Sequence, residues 1–396
     1  MISLFGNGKT TKAIAKKLGG CQIFDDSFTC KSEDDYGNFL LPPCEFNPNQ
    51  SDIEIPSPGF PPQHSLILQA RNLVSEYDFF EPVMPFSIWI SGTNGKTTTT
   101  QMCEHLLKPQ GALAGGNVGV PLAELDEKAP IWILETSSFT FHYTKKARPD
   151  IYLLLPIKPD HLSWHGSMEA YIDAKLSVLS RMKEGSVAIV PKAYAHTPTL
   201  AHLITYDNEH DLSIQMGIDL ERVAFKTPFL LDATLALCAQ KILLDSVDYE
   251  AINAFKIDHY KIEEFRDTTG RLWVDDSKGT NVDATIEALK RYQTEEILLV
   301  LGGDDKGVDL QELFDFMKPL HVKIFAIGSN TERLASFAEK EGIWLHKAYV
   351  LEEAMKQIHA LHTQKTVALL SPAAASLDQF KSYAHRGDRF KELALS

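Results

Sequence analysis

Cysteine is scarce in this chain: 396 residues carry five, Cys21, Cys30, Cys44, Cys103 and Cys238. An odd count without a C-x-x-C pair argues against a disulfide framework and against a zinc ribbon, so reduced, mostly buried thiols are expected. Long apolar runs are missing too. No stretch approaches the ~18 apolar residues of a membrane span, and the opening Met1-Ile2-Ser3-Leu4-Phe5-Gly6 lacks the extended apolar core of a secretory signal, which predicts a soluble, cytoplasmic protein. Positive charge is in deficit, with 39 Lys and Arg against 53 Asp and Glu and a formal net charge of -14. Such a surface repels phosphate backbones, so nucleic-acid and anionic-membrane partners are disfavoured and any anionic ligand must be held by local groups. There is no short-period repeat and no low-complexity segment.

At ~150 residues per domain the length predicts two or three domains. Short apolar runs ending in Gly, Ser or Asp, each followed by a helical pattern, recur along the chain and predict an α/β protein of stacked β-α units. Three domains are expected, each a mostly parallel sheet flanked by helices: a Rossmann-like one over 1–84, a P-loop-like one over 85–261 and a second Rossmann-like one over 262–396. The first opens with a strand at Ile2-Phe5 and a helix over Thr10-Leu18. The second carries strands at Ser87-Ile90, Ile131-Leu134 and Ile151-Leu155, and a helix over Met168-Met182. The third carries strands at Arg271-Val274, Ile297-Leu301, Lys323-Ile327 and Val367-Leu370, with helices over Asn281-Arg291 and Leu351-Leu361. Open parallel sheets bind ligands beyond the carboxyl ends of their strands, so chemistry is sought in the segment after each one.

The strongest such segment is Ser91-Gly92-Thr93-Asn94-Gly95-Lys96-Thr97-Thr98, between a strand and a helix. Glycines there let backbone N–H groups approach phosphate, and the helix N-terminus adds positive potential. Lys96 is placed to bridge β- and γ-phosphates and Thr97 to bind magnesium. Ile90 stands where the longer loop motif has its first glycine, so this is the shorter G-x-x-G-K-T form. Gly6-Asn7-Gly8-Lys9-Thr10 resembles a second copy, yet a two-glycine turn is equally a diphosphate-holding turn or a purely structural one. Glu135 closes an apolar strand, where a buried carboxylate needs a partner, with magnesium the economical one and a helix cap the plain alternative. His161, after Asp160, has the chemistry of a metal ligand or proton carrier; nearby His165 carries no assignment. Lys175 shares a helical face with apolar 168, 171, 172, 179 and 182. Burial would depress its pKa and expose a neutral amine able to form a carbamate with carbon dioxide, while snorkelling is the commoner fate of such a lysine. In the third domain Thr280 and Asn281 are cap candidates, and Lys278, Lys306 and the hydroxyls of Leu370-Ser371-Pro372 onward suit a dicarboxylate.

In order, the segments SGTNGKTTT, GGNVGVP, ILETSSF, PDHLSWHG, YIDAKLSVL, WVDDSKGTN, LGGDDKGVD and LLSPAAASLDQFKSYAHRGDRF resemble the Mur ligase family from about Ser57 to Phe390, the last two its D-glutamate-adding branch. The resemblance implies an ATP- and magnesium-dependent amide ligase of peptidoglycan synthesis, working as a monomer on UDP-N-acetylmuramoyl-L-alanine and D-glutamate through an acyl phosphate. It implies ATP contacts from Gly92 to Thr98 and at Asp276, and catalytic roles for Lys96, His161 and Lys175. It further implies a metal site of Thr97, Glu135, His161 and carbamylated Lys175, usually with two ions. D-Glutamate would be held by Thr280, Lys306, Ser376 and Tyr383. The UDP precursor would be held by Gly6, Asn7, Asp25, Asp26, Ser27, Gly59 and Asn117. Two departures stand out. Pro228-Phe229-Leu230-Leu231-Asp232 replaces the family's H-N-x-x-N-type segment near adenine, leaving Phe229 to stack on the base, and Lys261 stands one residue from the usual basic position after His259. Another Mur-type or folylpolyglutamate-type ligase and a non-catalytic ATP-binding regulator are the alternatives; the LLSPAAASLDQF loop and intact Glu135, Lys175 and Lys306 weigh against them.

Overall fold

The computed structural model describes residues 1–117 and 119–396. Val118, within the Gly-Gly-Asn-Val-Gly-Val-Pro segment, lies outside the described residues. The chain divides into two compact units, Met1–Phe255 and Lys256–Ser396.

The first unit holds two sheets. The N-terminal one comprises β1 (Ile2–Phe5), β2 (Gln22–Phe24), β3 (Ser32–Glu33), β4 (Phe39–Leu41) and β5 (Ile53–Pro56), in the order β3-β4-β2-β1-β5. All its pairings are parallel except β3–β4. The next comprises β6 (Phe86–Ser91), β7 (Ala112–Gly116), β8 (Ile131–Glu135), β9 (Ile151–Leu154), β10 (Val187–Pro191) and β11 (His202–Tyr206). Its order is β11-β10-β9-β6-β8-β7 and every pairing is parallel. A parallel sheet is covered on both faces and needs unbroken apolar runs. Ile88-Trp89-Ile90, Trp132-Ile133-Leu134 and Tyr152-Leu153-Leu154 supply them, all without exposed surface. The two sheets share one core, in which Leu4, Ile14 and Ile55 from the first join Trp89, Trp132 and Tyr152 from the second.

The second unit holds β12 (Glu263–Arg266), β13 (Leu272–Asp275), β14 (Glu296–Leu301), β15 (Val322–Ile327), β16 (Leu345–Tyr349) and β17 (Thr366–Leu370), ordered β12-β13-β17-β14-β15-β16. Only β12 runs antiparallel to its neighbour.

The expected α/β class is therefore the observed one, and the expected strands are found with ends shifted by a residue. Strands β3, β4, β5, β7, β10, β11, β12 and β16 escaped the sequence reading; β7 (Ala-Leu-Ala-Gly-Gly) and β12 (Glu-Glu-Phe-Arg) are too small or too polar to show as apolar runs. The helix expected over Met168-Met182 stops at Leu176, with a separate 3-10 turn over Leu179–Arg181. Ser177 explains the break. Its hydroxyl donates back to the Ala174 carbonyl (2.8 Å) while Arg181 Nη1 donates to the Ser177 carbonyl (3.1 Å), which substitutes side-chain bonds for the helical ladder.

Strand order decides which loops meet. Because β8, β6 and β9 are neighbours, the segments after them, 92–95, 136–137 and 155–161, emerge side by side. The same holds for the loops after β5, β1 and β2, and for those after β13, β17 and β14.

Candidate active site

The loop after β6 turns sharply because two positions tolerate no side chain. Gly92 has φ +146 and a Cβ there would lie 2.5 Å from Leu155 Cβ. Gly95, in the left-handed region at φ +81, starts the helix Lys96–Leu107, and a Cβ would meet Asp232 Oδ1 at 2.3 Å. Lys96 folds over this turn, its Nζ donating to the carbonyls of Gly92 (3.1 Å) and Thr93 (2.6 Å). Thr98 is buried in the first helical turn, and Asn94 sits half-buried at the apex. The backbone N–H groups at this helix start are the anion-binding feature such loops provide.

Glu135, the last residue of β8 and 3 % exposed, meets the loop from the side. Its Oε2 accepts from Thr97 Oγ1 (2.8 Å) and its Oε1 from Asn117 Nδ2 (2.8 Å). This is the partnering that a buried carboxylate requires. It also joins three expected site residues: Thr97, Glu135 and Asn117.

Lys175 is 1 % exposed. Its Nζ donates to the Gly92 carbonyl (2.8 Å), reaches Ser91 Oγ at 3.4 Å and lies 4.7 Å from the Tyr171 ring centre. Burial first, then the neighbouring Lys96 charge, holds its pKa well below the ordinary lysine value, against the opposing pull of Asp160 and Glu135. With 1 % of its surface exposed, snorkelling is excluded for this side chain. Tyr171, which carried no sequence assignment, contacts Thr93 Oγ1 through its hydroxyl (3.1 Å). Thr93 Oγ1 in turn donates to the Lys158 carbonyl (3.0 Å), tying the glycine loop to the segment after β9.

His161 lies in that segment, in the left-handed region at φ +54, as the residue before the helix Leu162–His165. Its Nε2 stands 3.5 Å from Asp160 Oδ2, and its ring packs on Phe139 at 4.8 Å. His165 stacks on the same phenylalanine and meets Ser138 Oγ at 2.9 Å. Burial, then the positive potentials of His142, His161 and Lys175, lower its pKa to about 4, so it is neutral at physiological pH. Among the described residues no group of three or more His, Cys, Asp or Glu side chains is assembled as a metal cage.

Asp232 is buried in the helix Phe229–Leu244 and accepts from Thr99 Oγ1 (2.9 Å), joining that helix to Lys96–Leu107. Phe229, expected to stack on a base, is 8 % exposed at the helix start. Lys261 pairs with Asp258 at 3.2 Å.

In the N-terminal sheet, Gly6 takes φ +88 where a Cβ would press on Phe60 and Ser57. Asp25, after β2, accepts from the Asn7 backbone N–H (2.7 Å) and from the N–H and hydroxyl of Ser27. Burial alone would raise its pKa; the hydrogen bonds outweigh it and hold the carboxyl below the ordinary value. Gly6, Asn7, Asp25 and Ser27 are thus gathered at one strand end, while Asp26 turns to His64 (3.2 Å). Gly59, after β5, accepts from Trp164 Nε1 (3.3 Å).

In the second unit, three loops are stitched at the ends of β13, β17 and β14. Ala373 N–H donates to the Gly279 carbonyl (3.0 Å), and Asp304 and Ala375 exchange backbone bonds of 3.0 and 2.9 Å. These ties place the loops of Thr280, Ser376 and Lys306 together. Thr280 and Lys306 are exposed and Ser376 is buried. Asn281, as one of the two cap candidates, accepts from Ala284 N–H (2.9 Å) and starts the helix Val282–Arg291. Lys278 Nζ lies 5.6 Å from the Tyr383 ring. Asp276 is 6 % exposed, accepting from Ser371 Oγ (2.6 Å), and burial raises its pKa to about 8. Arg386, missed in the sequence, is 1 % exposed and binds Ser277 Oγ (3.0 Å) and the carbonyls of Ser277 (2.8 Å) and Ala374 (3.1 Å). Its Ala-His-Arg-Gly-Asp-Arg setting reads as an exposed charged helix; only the tertiary fold reveals the burial.

The fold and the glycine loop after β6 point to a class. The chain resembles the MurF ligase of Thermotoga maritima solved with ADP, at TM-score 0.64 and 18 % identity over 99 % of this chain and 93 % of that one. Residues 90–232 match the model of the Mur ligase middle domain. Among individual proteins, the UDP-N-acetylmuramoylalanine–D-glutamate ligase of Campylobacter jejuni is 58 % identical over 99 % of this chain and 98 % of its own length. The enzyme of the same name from Helicobacter pylori is 45 % identical over 100 % of this chain and 99 % of its length. The chain belongs to the UDP-N-acetylmuramoylalanine–D-glutamate ligase family.

Proposed function

We propose that this chain adds D-glutamate to UDP-N-acetylmuramoyl-L-alanine at the expense of ATP, a step of peptidoglycan precursor synthesis. The observation that carries the reading is the 58 % identity, over nearly the full length of both chains, to a relative named for that reaction. A carboxylate becomes an amide only with a better leaving group, and transfer of the ATP γ-phosphoryl to the muramoyl-alanine carboxylate supplies one as an acyl phosphate. The D-glutamate amine then attacks the acyl carbon and phosphate leaves.

Lys96 exchanges its loop carbonyls for oxygens of the β- and γ-phosphates, to which its ammonium donates, and the glycine turn Gly92–Gly95, with Thr97 and Thr98, cradles them. Magnesium suits Thr97 and Glu135, a hydroxyl and a carboxylate joined at 2.8 Å, since that ion prefers a few protein oxygens with water and phosphate completing its shell. When bound, it neutralises charge on the transferring phosphoryl group. Lys175, buried and with a depressed pKa, is the carbamate candidate for a second ion, and His161 either aids that ion or accepts the ammonium proton of D-glutamate. Asp276 and Phe229 are the proposed nucleotide contacts. Gly6, Asn7, Asp25, Asp26, Ser27, Gly59 and Asn117 are proposed for the UDP precursor, and Thr280, Lys306, Ser376 and Tyr383 for D-glutamate. The division into 1–84, 85–261 and 262–396 follows these three roles. No described helix is long and apolar enough to cross a membrane. We take the working protein to be a cytoplasmic monomer.

The decisive assay follows phosphate release with substrates omitted in turn. Release should require both UDP-N-acetylmuramoyl-L-alanine and D-glutamate; equal rates with L-glutamate or L-lysine would sink the assignment. Lys306→Ala should raise the KM for D-glutamate by about tenfold or more, the loss of one charge-assisted hydrogen bond, with the KM for ATP unchanged within about twofold. A change confined to ATP would show that the Lys306 loop serves the nucleotide instead.

A further inference from the structure

Between the loop of Gly59 and β6 runs a segment with no part in the proposed chemistry, which includes the short helix Glu76–Phe80. Its first two residues are buried polar side chains, and both point at groups that hold the site. Tyr77, 1 % exposed, directs its hydroxyl to the backbone carbonyl of Glu135 (3.2 Å) and to Thr136 Oγ1 (3.2 Å). The same Glu135 carbonyl accepts from the Asn117 backbone N–H (2.9 Å), whose side chain holds the Glu135 carboxylate. Glu76 reaches the other end of the Asn117 segment, its Oε1 accepting from the Leu122 backbone N–H (2.9 Å). Packing leaves no slack. A Cβ on Gly116 would stand 2.6 Å from both the Tyr77 hydroxyl and the Glu135 carbonyl, and the Tyr77 ring meets Trp89 of β6 edge-on at 4.7 Å.

We propose that Glu76 and Tyr77 are positioning residues: adjacent side chains that clamp the Asn117 segment at one end and the Glu135 strand end at the other, fixing the carboxylate for phosphoryl transfer. Neither touches substrate. Burying a carboxyl and a phenol is costly unless each is matched by a partner, and here both partners belong to the two segments that converge on Glu135. In physical terms the clamp replaces backbone freedom next to the reacting groups with two side-chain contacts, which preorganises the site before nucleotide arrives. It also makes the segment from the N-terminal sheet a structural member of the phosphate site. The inference rests on the proposed ligase function only for its kinetic consequence; the clamp itself is a property of the free protein.

The test combines both levels. In the full chain without ligands, Tyr77→Phe should speed hydrogen–deuterium exchange at the Asn117 amide by about fivefold, the loss expected of one neutral hydrogen bond, with amides of β9 unchanged. Glu76→Ala should do the same at the Leu122 amide, and Glu76→Gln, which keeps an acceptor, should restore it. In the assay, Tyr77→Phe should lower kcat by about fivefold with the KM for D-glutamate unchanged. A folded Tyr77→Phe protein with wild-type exchange at Asn117 overturns the clamp, as does acceleration spread evenly over all amides. If the unmodified chain shows no D-glutamate-dependent turnover, the functional reading fails while the exchange data still decide the clamp.

Discussion

Lys175→Ala should lose at least about a hundredfold in kcat, the scale of removing one preorganised electrostatic group from an active site. The reason lies in where the amine sits. It is buried beneath the glycine loop, bonded to the Gly92 carbonyl at 2.8 Å, with Lys96 close enough to depress its pKa further. A charged ammonium there would repel Lys96 and oppose a bound cation. A neutral amine would attack carbon dioxide, lose a proton and become a carbamate, which would convert the position from a repelled cation into an anionic oxygen donor within electrostatic reach of Glu135. Short carboxylic acids entering the space left by Lys175→Ala should restore part of the rate, because they return the oxygen donor without the tether. Steady-state rates with and without such acids, together with the mass of the intact protein at high and low carbon dioxide, measure both halves of the argument. A fully active Lys175→Ala enzyme that ignores added acids would remove the carbamate. A simple packing role predicts lost stability without rescue.

How far the sequence reveals this site depends on whether a residue's role is local. The turn Gly92–Gly95 was legible because its glycines and the following helix start are consecutive in the chain, and the structure shows the close approaches that forbid side chains there. Glu135 was legible as a carboxylate ending an apolar strand, and Lys175 as a cation on an apolar stripe; in both cases a charged residue stands where burial is otherwise apolar. Tyr77, Tyr171 and Arg386 were not legible, because each reads as ordinary core or surface in its own helix and acquires its role from a partner distant in sequence: Glu135, Thr93 and Ser277. The strands missed, such as β7 and β12, share that limit. Their small or charged residues form strands because neighbours offer a ladder, a tertiary effect that overrides local propensity. The helix over Met168-Met182 failed differently, since period alone did not register that Ser177 offers its hydroxyl to the Ala174 carbonyl.

Lys96→Ala should be at least as damaging, lowering kcat by about a thousandfold, while ADP binding weakens by a smaller factor. The difference follows from what the amine does at each stage. Without nucleotide, Lys96 Nζ satisfies itself on the Gly92 and Thr93 carbonyls at 3.1 and 2.6 Å, so the ground state already provides two acceptors. Binding a nucleotide would exchange those acceptors for phosphate oxygens, a swap of hydrogen bonds with modest net gain. The gain grows only as charge redistributes over the γ-phosphoryl oxygens during transfer, when a point charge held by the rigid loop is worth most. The helix start and the glycine turn remain in Lys96→Ala and continue to bind phosphate, which preserves part of the ADP affinity. Lys96→Arg should not rescue the rate, because the planar guanidinium cannot occupy the compact position between the two loop carbonyls. Calorimetry with ADP and steady-state phosphate release, taken on the same preparations, separate the two effects. Equal losses in binding and turnover would mean that Lys96 recognises nucleotide uniformly and contributes nothing specific to the transferring phosphoryl group.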